Sequence, residues 1–213
     1  MLILGVCAPV HAQIVDDELP TIEMPEFIKN LGKKIEEAQN ERPDYAHLPP
    51  EAEKQAKLRD LFVRLQLEMD ADKANLLAEE IWAIWLDSGS PSVDLLLRRG
   101  TAADKSEDNE LARRMYDHVT LIKPNYAEGW ARSGRLAYEE EDYNRAVVEL
   151  TEALIIEPRH FFALWTLGNI MEQLGRNDEA LQIYTEANKL YPAMPTIKER
   201  VAYLENQIQG EVL

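Results

Sequence analysis

The side chains that could do chemistry are few and scattered. The four histidines are His11, His47, His118 and His160. None has a second histidine four residues away, as a helical zinc pair would require. His118 follows Asp117 late in a predicted helix and reads as a surface residue. Ser88, Ser90, Ser92 and Ser133 have no candidate base near them in sequence. The chain has no G-x-S-x-G, no H-E-x-x-H and no phosphate-cradling glycine loop. The EEED run at 139–142 carries little weight as a catalytic pair in so acidic a chain. No combination passes as a nucleophile with its base, or as a ligand set, so the pattern points away from an enzyme, a metal site or a cofactor.

Two other residue types are spaced more informatively. Arg98 and Arg132 lie 34 residues apart, Arg135 follows on the same predicted helix, and Asn169 falls 34 residues after Arg135. Of the four tryptophans, Trp82 and Trp130 fall on apolar helical positions, which predicts packing. Trp85 is expected to be packed as well, at the boundary between the first two helical units. Trp165 stands one residue past its apolar series and is expected to be an exposed aromatic.

These residues need elements to position them, and the chain repeats itself. Pro124, Pro158 and Pro192 are 34 apart. Ala112, Ala146 and Ala180 take the same step, as do Gly100, Gly134 and Gly168. Tyr116, Leu150 and Tyr184 form a fourth series, and Leu96, Trp130 and Leu164 a fifth. A helix-interior glycine costs about 1 kcal/mol, so a recurrent one implies that a neighbouring helix approaches closely. The alanines imply the same on the second helix of each pair, and the large residues fill the space between. Each proline stops a helix and separates one pair from the next. Asp142 and Asn177 are placed to cap second helices.

The pattern resembles the tetratricopeptide repeat family, a 34-residue helix-turn-helix unit. FFALWTLGNIMEQLGRNDEALQIYTEANKLYP, at 161–192, carries Leu167-Gly168, Ala180, Tyr184, Ala187 and Pro192 in the family's phase. The stretch 127–158 carries Trp130, Gly134, Ala146, Leu150, Ala153 and Pro158, and 93–124 is weaker but in register. In 59–92 Ala78 and Trp82 are on phase, while Gln66 and Ser90 stand where glycine and proline belong. Ala103, Ala137 and Met171 replace the family's aromatic. The resemblance implies an all-α, right-handed α-solenoid with repeats at 93–126, 127–160 and 161–194. It also implies a degenerate first helix pair at 51–92 and a capping helix and tail at 195–213. Ile197, Val201, Leu204 and Ile208 would face one way on that cap. Within 51–92, Leu58, Leu61, Phe62, Leu65 and Met69 follow helical spacing, as do Leu77, Ile81, Trp82 and Trp85, and Pro50 suits a first helical turn.

In this family the first helix of each repeat lines a concave groove. The resemblance therefore implies a partner-binding groove carrying Arg98, Arg132, Arg135, Tyr138, Trp165 and Asn169. Leu97 and Thr101 stand where a chaperone-type carboxylate clamp has lysine and asparagine, so an anion-friendly groove is implied and that particular partner is not. The alternative is that these arginines pair with Asp94, Glu128 or Glu172 and are solvated, which exposed ion pairs commonly do.

Composition narrows the partner and the compartment. The 213 residues carry a net charge of −16, which repels phosphate backbones and anionic lipid. A protein or peptide partner is expected, without nucleic acid; self-assembly into a homo-oligomer is the structural alternative. The start, MLILGVCAPVHA, has no charged residue and ends like a signal-peptide cleavage site, with Val10 at −3, Ala12 at −1 and Gln13 as the mature terminus. A basic leading segment is missing, which predicts a true start upstream of Met1 or a miscalled gene start. Residues 1–12 thus predict export to the periplasm or beyond; a cytoplasmic adaptor is the alternative. Cys7, the one cysteine, follows Leu4-Gly5-Val6, a poor lipoprotein signal. Residues 13–50 read as an acidic, proline-rich linker with a short amphipathic helix at 25–39. No stretch long and apolar enough to cross a membrane follows the first dozen residues.

Overall fold

The computed structural model describes residues 49–211; the readings made on 1–12 and 25–39 lie outside the described residues. Among the described residues the chain forms nine helices and no strand. They are α1 (Pro50–Leu67), α2 (Ala71–Trp85), α3 (Pro91–Lys105), α4 (Asn109–Ile122), α5 (Ala127–Glu139), α6 (Tyr143–Ile156), α7 (Phe161–Gln173), α8 (Asn177–Leu190) and α9 (Pro195–Glu211). Helices α3 to α8 form three antiparallel hairpins stacked in chain order, and α9 covers the last of them. The first helices of successive hairpins, α3, α5 and α7, touch one another and make the inner layer. This is an all-α solenoid.

The stacking follows from interlocked sequence series. A Cβ added at Gly168 would lie 2.4 Å from the Tyr184 ring, and one at Gly134 would lie 2.8 Å from Leu150 Cγ and 3.0 Å from its backbone nitrogen. Each glycine is therefore the socket for the large residue sixteen positions later, and Tyr116, Leu150 and Tyr184 are fully buried. Ala112, Ala146 and Ala180 are buried as well. Trp130 is half-buried, and its indole N–H donates to the carbonyl of Pro124 at 2.8 Å, tying the start of α5 to the proline before it.

The turns inside the hairpins also repeat. Glu107, Glu141 and Gly175 sit at equivalent positions in the left-handed region, at φ 61°, 61° and 71°. The next residue then enters the second helix. Asp108 and Asp142 accept the backbone N–H three residues on, each at 3.1 Å, and cap α4 and α6. Asn177 does not cap α8: it is the first residue inside that helix, and the cap position is held by Arg176, which makes no side-chain cap bond.

The α1–α2 hairpin does not extend the stack onto α3. It folds back along the edge where successive repeats are joined. Phe62 of α1 meets Phe161 edge-on at 6.3 Å, Trp85 stacks flat on His160 at 4.4 Å, and Trp82 meets Phe162 at 5.2 Å. Asn75 accepts a hydrogen bond from the Tyr191 hydroxyl. Trp85 is thus buried against the third repeat instead of the first-to-second boundary, and Met69, beyond the end of α1, is 72% exposed.

The repeat register gives the reason. On α5 the stacking face is Tyr126, Gly129, Ser133 and Leu136, and on α7 it is His160, Ala163, Leu167 and Ile170; all are buried. The equivalent face of α3 is Ser92, Leu95, Arg99 and Ala102, all exposed. An arginine in the middle of that face suits water better than a helix neighbour, whereas Phe62, Trp85, Phe161 and Tyr191 offer the hairpin an aromatic seam.

Candidate functional site

The inner-layer helices α5 and α7, the Trp82 side chain of α2 and Met194 before α9 enclose a cavity of about 390 Å³. Arg132, Arg135, Tyr138, Trp165 and Asn169 all line it. Arg98 does not. It occupies the α3 position equivalent to Arg132, one repeat earlier, and is exposed. Helical spacing explains the grouping: Arg132, Arg135 and Tyr138 lie one turn apart on α5, as do Trp165 and Asn169 on α7.

The walls are aromatic. Trp165 is half-buried and packs on Tyr184, with ring centroids 5.1 Å apart. Tyr138 packs on Tyr143 at 6.1 Å. Trp82, read from the sequence as core, is instead half-buried and forms a wall beside Phe162.

A buried polar hub underlies these walls. Glu128 and His160 are each 2% exposed. Glu128 Oε1 accepts from Arg132 Nε at 2.6 Å and from Trp82 Nε1 at 3.0 Å; Oε2 receives His160 Nε2 at 3.1 Å. His160 also caps α7, because its Nδ1 accepts the Ala163 N–H at 3.2 Å. That acceptor role leaves the imidazole proton on Nε2, pointing at Glu128. Burial pushes the Glu128 carboxyl up. The hydrogen bond from His160, the Arg132 guanidinium and the Trp82 N–H outweigh burial and hold it down at about 2. The hub fastens α2, α5 and α7 to one carboxylate.

The arginines are not alike. Arg135 bonds Asp104 through one terminal nitrogen and Glu139 through the other. Arg132 is held by Glu128 through Nε, and its guanidinium lies over the Trp82 ring at 4.9 Å. Glu172, an expected alternative partner, bonds Arg200 of α9. Glu128, an expected partner of these arginines, takes Arg132 but is buried with it instead of solvated. The sequence reading missed Trp82 as a wall and gave His160 and Phe162 no place in the groove. One signal was available: at the repeat position held by Tyr126 and Met194, His160 puts a polar ring into a largely apolar series. Among the described residues no group of three or more His, Cys, Asp or Glu side chains could hold a metal, and no helix is long and apolar enough to cross a membrane.

Stacked helix hairpins with an aromatic inner groove define an α-solenoid of the kind that presents an extended binding surface. Known proteins give the family. A tetratricopeptide repeat model matches residues 137–199. A tetratricopeptide repeat-containing protein of Rhizobium etli is 34% identical over 154 residues, covering 72% of this chain and 76% of that protein. The chain belongs to the tetratricopeptide repeat family. Among solved structures, the TPR domain of Arabidopsis OM64 superposes with a TM-score of 0.52 at 22% identity, covering 54% of this chain and 95% of that one. The TPR2B domain of yeast Sti1, solved as a pHsp70 complex, gives a TM-score of 0.51 at 14% identity over 55% of this chain and 99% of that domain.

Proposed function

We propose that this protein is an exported scaffold that binds a protein partner in its inner groove, on a segment of acidic character. The observation that carries the reading is the convergence of Arg132, Arg135, Tyr138, Trp165 and Asn169 on one aromatic-walled cavity. The family supports a protein partner in general terms, and the Sti1 domain, similar in fold, was solved in its pHsp70 complex. Arg98 extends the same stripe one repeat toward the N-terminus and would contact a longer segment. The uncharged start with its small-residue cleavage pattern supports the periplasm as the compartment.

Crosslinking in intact cells, followed by identification of the captured protein, tests the reading directly. Replacing Arg132 and Arg135 with Glu abolishes capture; because Arg132 pairs with the buried Glu128, the melting curve is expected to fall, and it is read alongside to establish that the array is still folded at the assay temperature. Capture that survives this pair of changes rules the groove out. Reading the N-terminal residue of the protein recovered from the periplasmic fraction tests export: Gln13 is expected, and an intact Met1 in the cytoplasm overturns it.

A second reading, self-assembly, has one observation in its favour. Leu67, Met69 and Leu76, at the tip of the α1–α2 hairpin, are 74%, 72% and 61% exposed. Clustered apolar exposure of this sort marks contact surfaces. Sedimentation at high concentration decides it: a strict monomer sinks this second reading.

A further inference from the structure

The cavity distinguishes between its two arginines. Arg135 has both terminal nitrogens engaged by carboxylates of this chain. Arg132 has only Nε engaged, one face lies over Trp82, and 14% of its side chain remains open. Its two terminal nitrogens have no protein partner among the described residues. A guanidinium fixed at Nε and stacked on a ring presents its remaining N–H groups as a pre-set fork, which matches the two oxygens of a carboxylate. Asn169 adds to this: its Oδ1 accepts from the Tyr184 hydroxyl at 2.6 Å, which leaves its amide N–H groups for the cavity. Glu139 also lines the cavity, paired with Arg135. Around these donors the walls are the rings of Trp82, Phe162 and Trp165.

We propose that the cavity takes an acidic side chain of a protein partner together with a neighbouring aromatic or large aliphatic side chain. The carboxylate sits on the two terminal nitrogens of Arg132, and the apolar neighbour lies against Trp82, Phe162 and Trp165. This rests on the reading of the groove as a protein-binding surface and gives that surface its chemistry. It also makes the α1–α2 hairpin part of the site, because Trp82 comes from α2 and not from a repeat of the array. Glu128 and His160 act through Arg132 and Trp82: they are positioning residues, buried beneath the wall. The specificity is double, since the fork selects charge and the rings select a flat or bulky neighbour.

The probes are four short peptides, measured by calorimetry and by the shift of the Trp82 indole N–H resonance. Acetylated, amidated Ala-Ala-Phe-Glu-Ala-Ala is the expected ligand. The same peptide with Gln for Glu tests the charge, and with Ala for Phe tests the ring. Ala-Ala-Ala-Phe with a free terminal carboxylate tests whether a chain end is preferred. The first peptide binds roughly tenfold or more tightly than either internal control, the difference expected for losing one bidentate charge contact or one buried ring. Arg132→Lys, which keeps the charge and loses the fork, weakens it by about the same factor and leaves the Gln peptide unchanged. Trp82→Phe, which keeps an apolar ring on the hairpin, weakens it while the melting curve stays cooperative.

Equal binding of the Glu and Gln peptides, no binding of any peptide, or indifference to Arg132→Lys overturns the proposal. So does binding of the free-terminus peptide alone. If the double Glu replacement at Arg132 and Arg135 abolishes partner capture while the peptides fail to discriminate, the groove reading stands and only this chemistry falls.

Discussion

Glu128 concentrates the consequences available to a single residue. Its carboxyl ordinarily titrates near 4.5 and is held at about 2 in the fold. A depressed carboxylate contributes stability that is fully present above its unfolded value and is lost as pH falls toward the folded one. Thermal melts from pH 7 to pH 2 therefore show a drop in Tm that begins near pH 4.5 and continues toward pH 2. Glu128→Gln lowers Tm at pH 7, because Arg132 and His160 lose their charged acceptor, and flattens the acid limb; an unchanged acid limb contradicts the assignment. Gly168 makes a second residue-level case. The Tyr184 ring occupies the space a Cβ needs, at 2.4 Å, so Gly168→Ala destabilises by about 1–3 kcal/mol through overpacking, although alanine is the better helix former. Denaturant melts measure it. The glycine's role was legible from its recurrence. The hub was not, because Glu128 meets His160 across 32 residues and Trp82 across 46, and no period in the sequence joins them.

At the scale of helices and turns, the three repeats solve one problem with unequal residues. Asp142 caps α6, and Asp142→Ala costs about 1 kcal/mol. Glu141 precedes it at φ 61°, a conformation in which a residue with a Cβ is strained. The third repeat has Gly175 at the equivalent place. Glu141→Gly therefore stabilises by up to about 1 kcal/mol, the relief of left-handed strain exceeding the entropy glycine adds to the unfolded chain. Equilibrium denaturation of the single variants separates the two effects, and a destabilised Glu141→Gly contradicts the strain argument. Helix identity was legible from five 34-residue series; the glutamates in left-handed turns were not, since glutamate carries no sequence signal for that region. The misplaced cap at Asn177 has a simple origin: stepping 34 residues from Asp142 leads to Arg176, and the polar neighbour drew the assignment one residue too far.

At the scale of the whole molecule, the array is quasi-one-dimensional and the hairpin is not. Helices α3 to α9 touch mainly their neighbours in order, as repeats do. The α1–α2 hairpin reaches across to α7 and α8 through Phe62, Trp82, Trp85 and Asn75. Phe62 lies outside the repeats, yet it is fully buried against Phe161 and under the Arg159 guanidinium, 4.7 Å from its ring. Phe62→Ala therefore costs the array about 3–5 kcal/mol, a core-sized loss, and a calorimetric scan shows it as a lowered single transition. Of the six residues placed in the groove from the sequence, five meet at one cavity because they share helical faces one repeat apart. The sixth, Arg98, falls short because α3 has no α2 beside it. The walls contributed by Trp82 depend on a fold-back that helical periodicity cannot encode.

That fold-back changes the mechanics of the molecule. A bare helical solenoid behaves as a spring: each repeat pivots a little on the next, and small rotations accumulate into large changes of curvature. Here a strut anchored just before the first repeat is fastened at the third, so the coil cannot open or tighten without shearing the contacts of Trp85 with His160 and Phe62 with Phe161. The curvature is set by a fixed brace, and so is the number of coils. An added coil between α6 and α7 would carry the anchorage out of the strut's reach, which makes this a spring of one length.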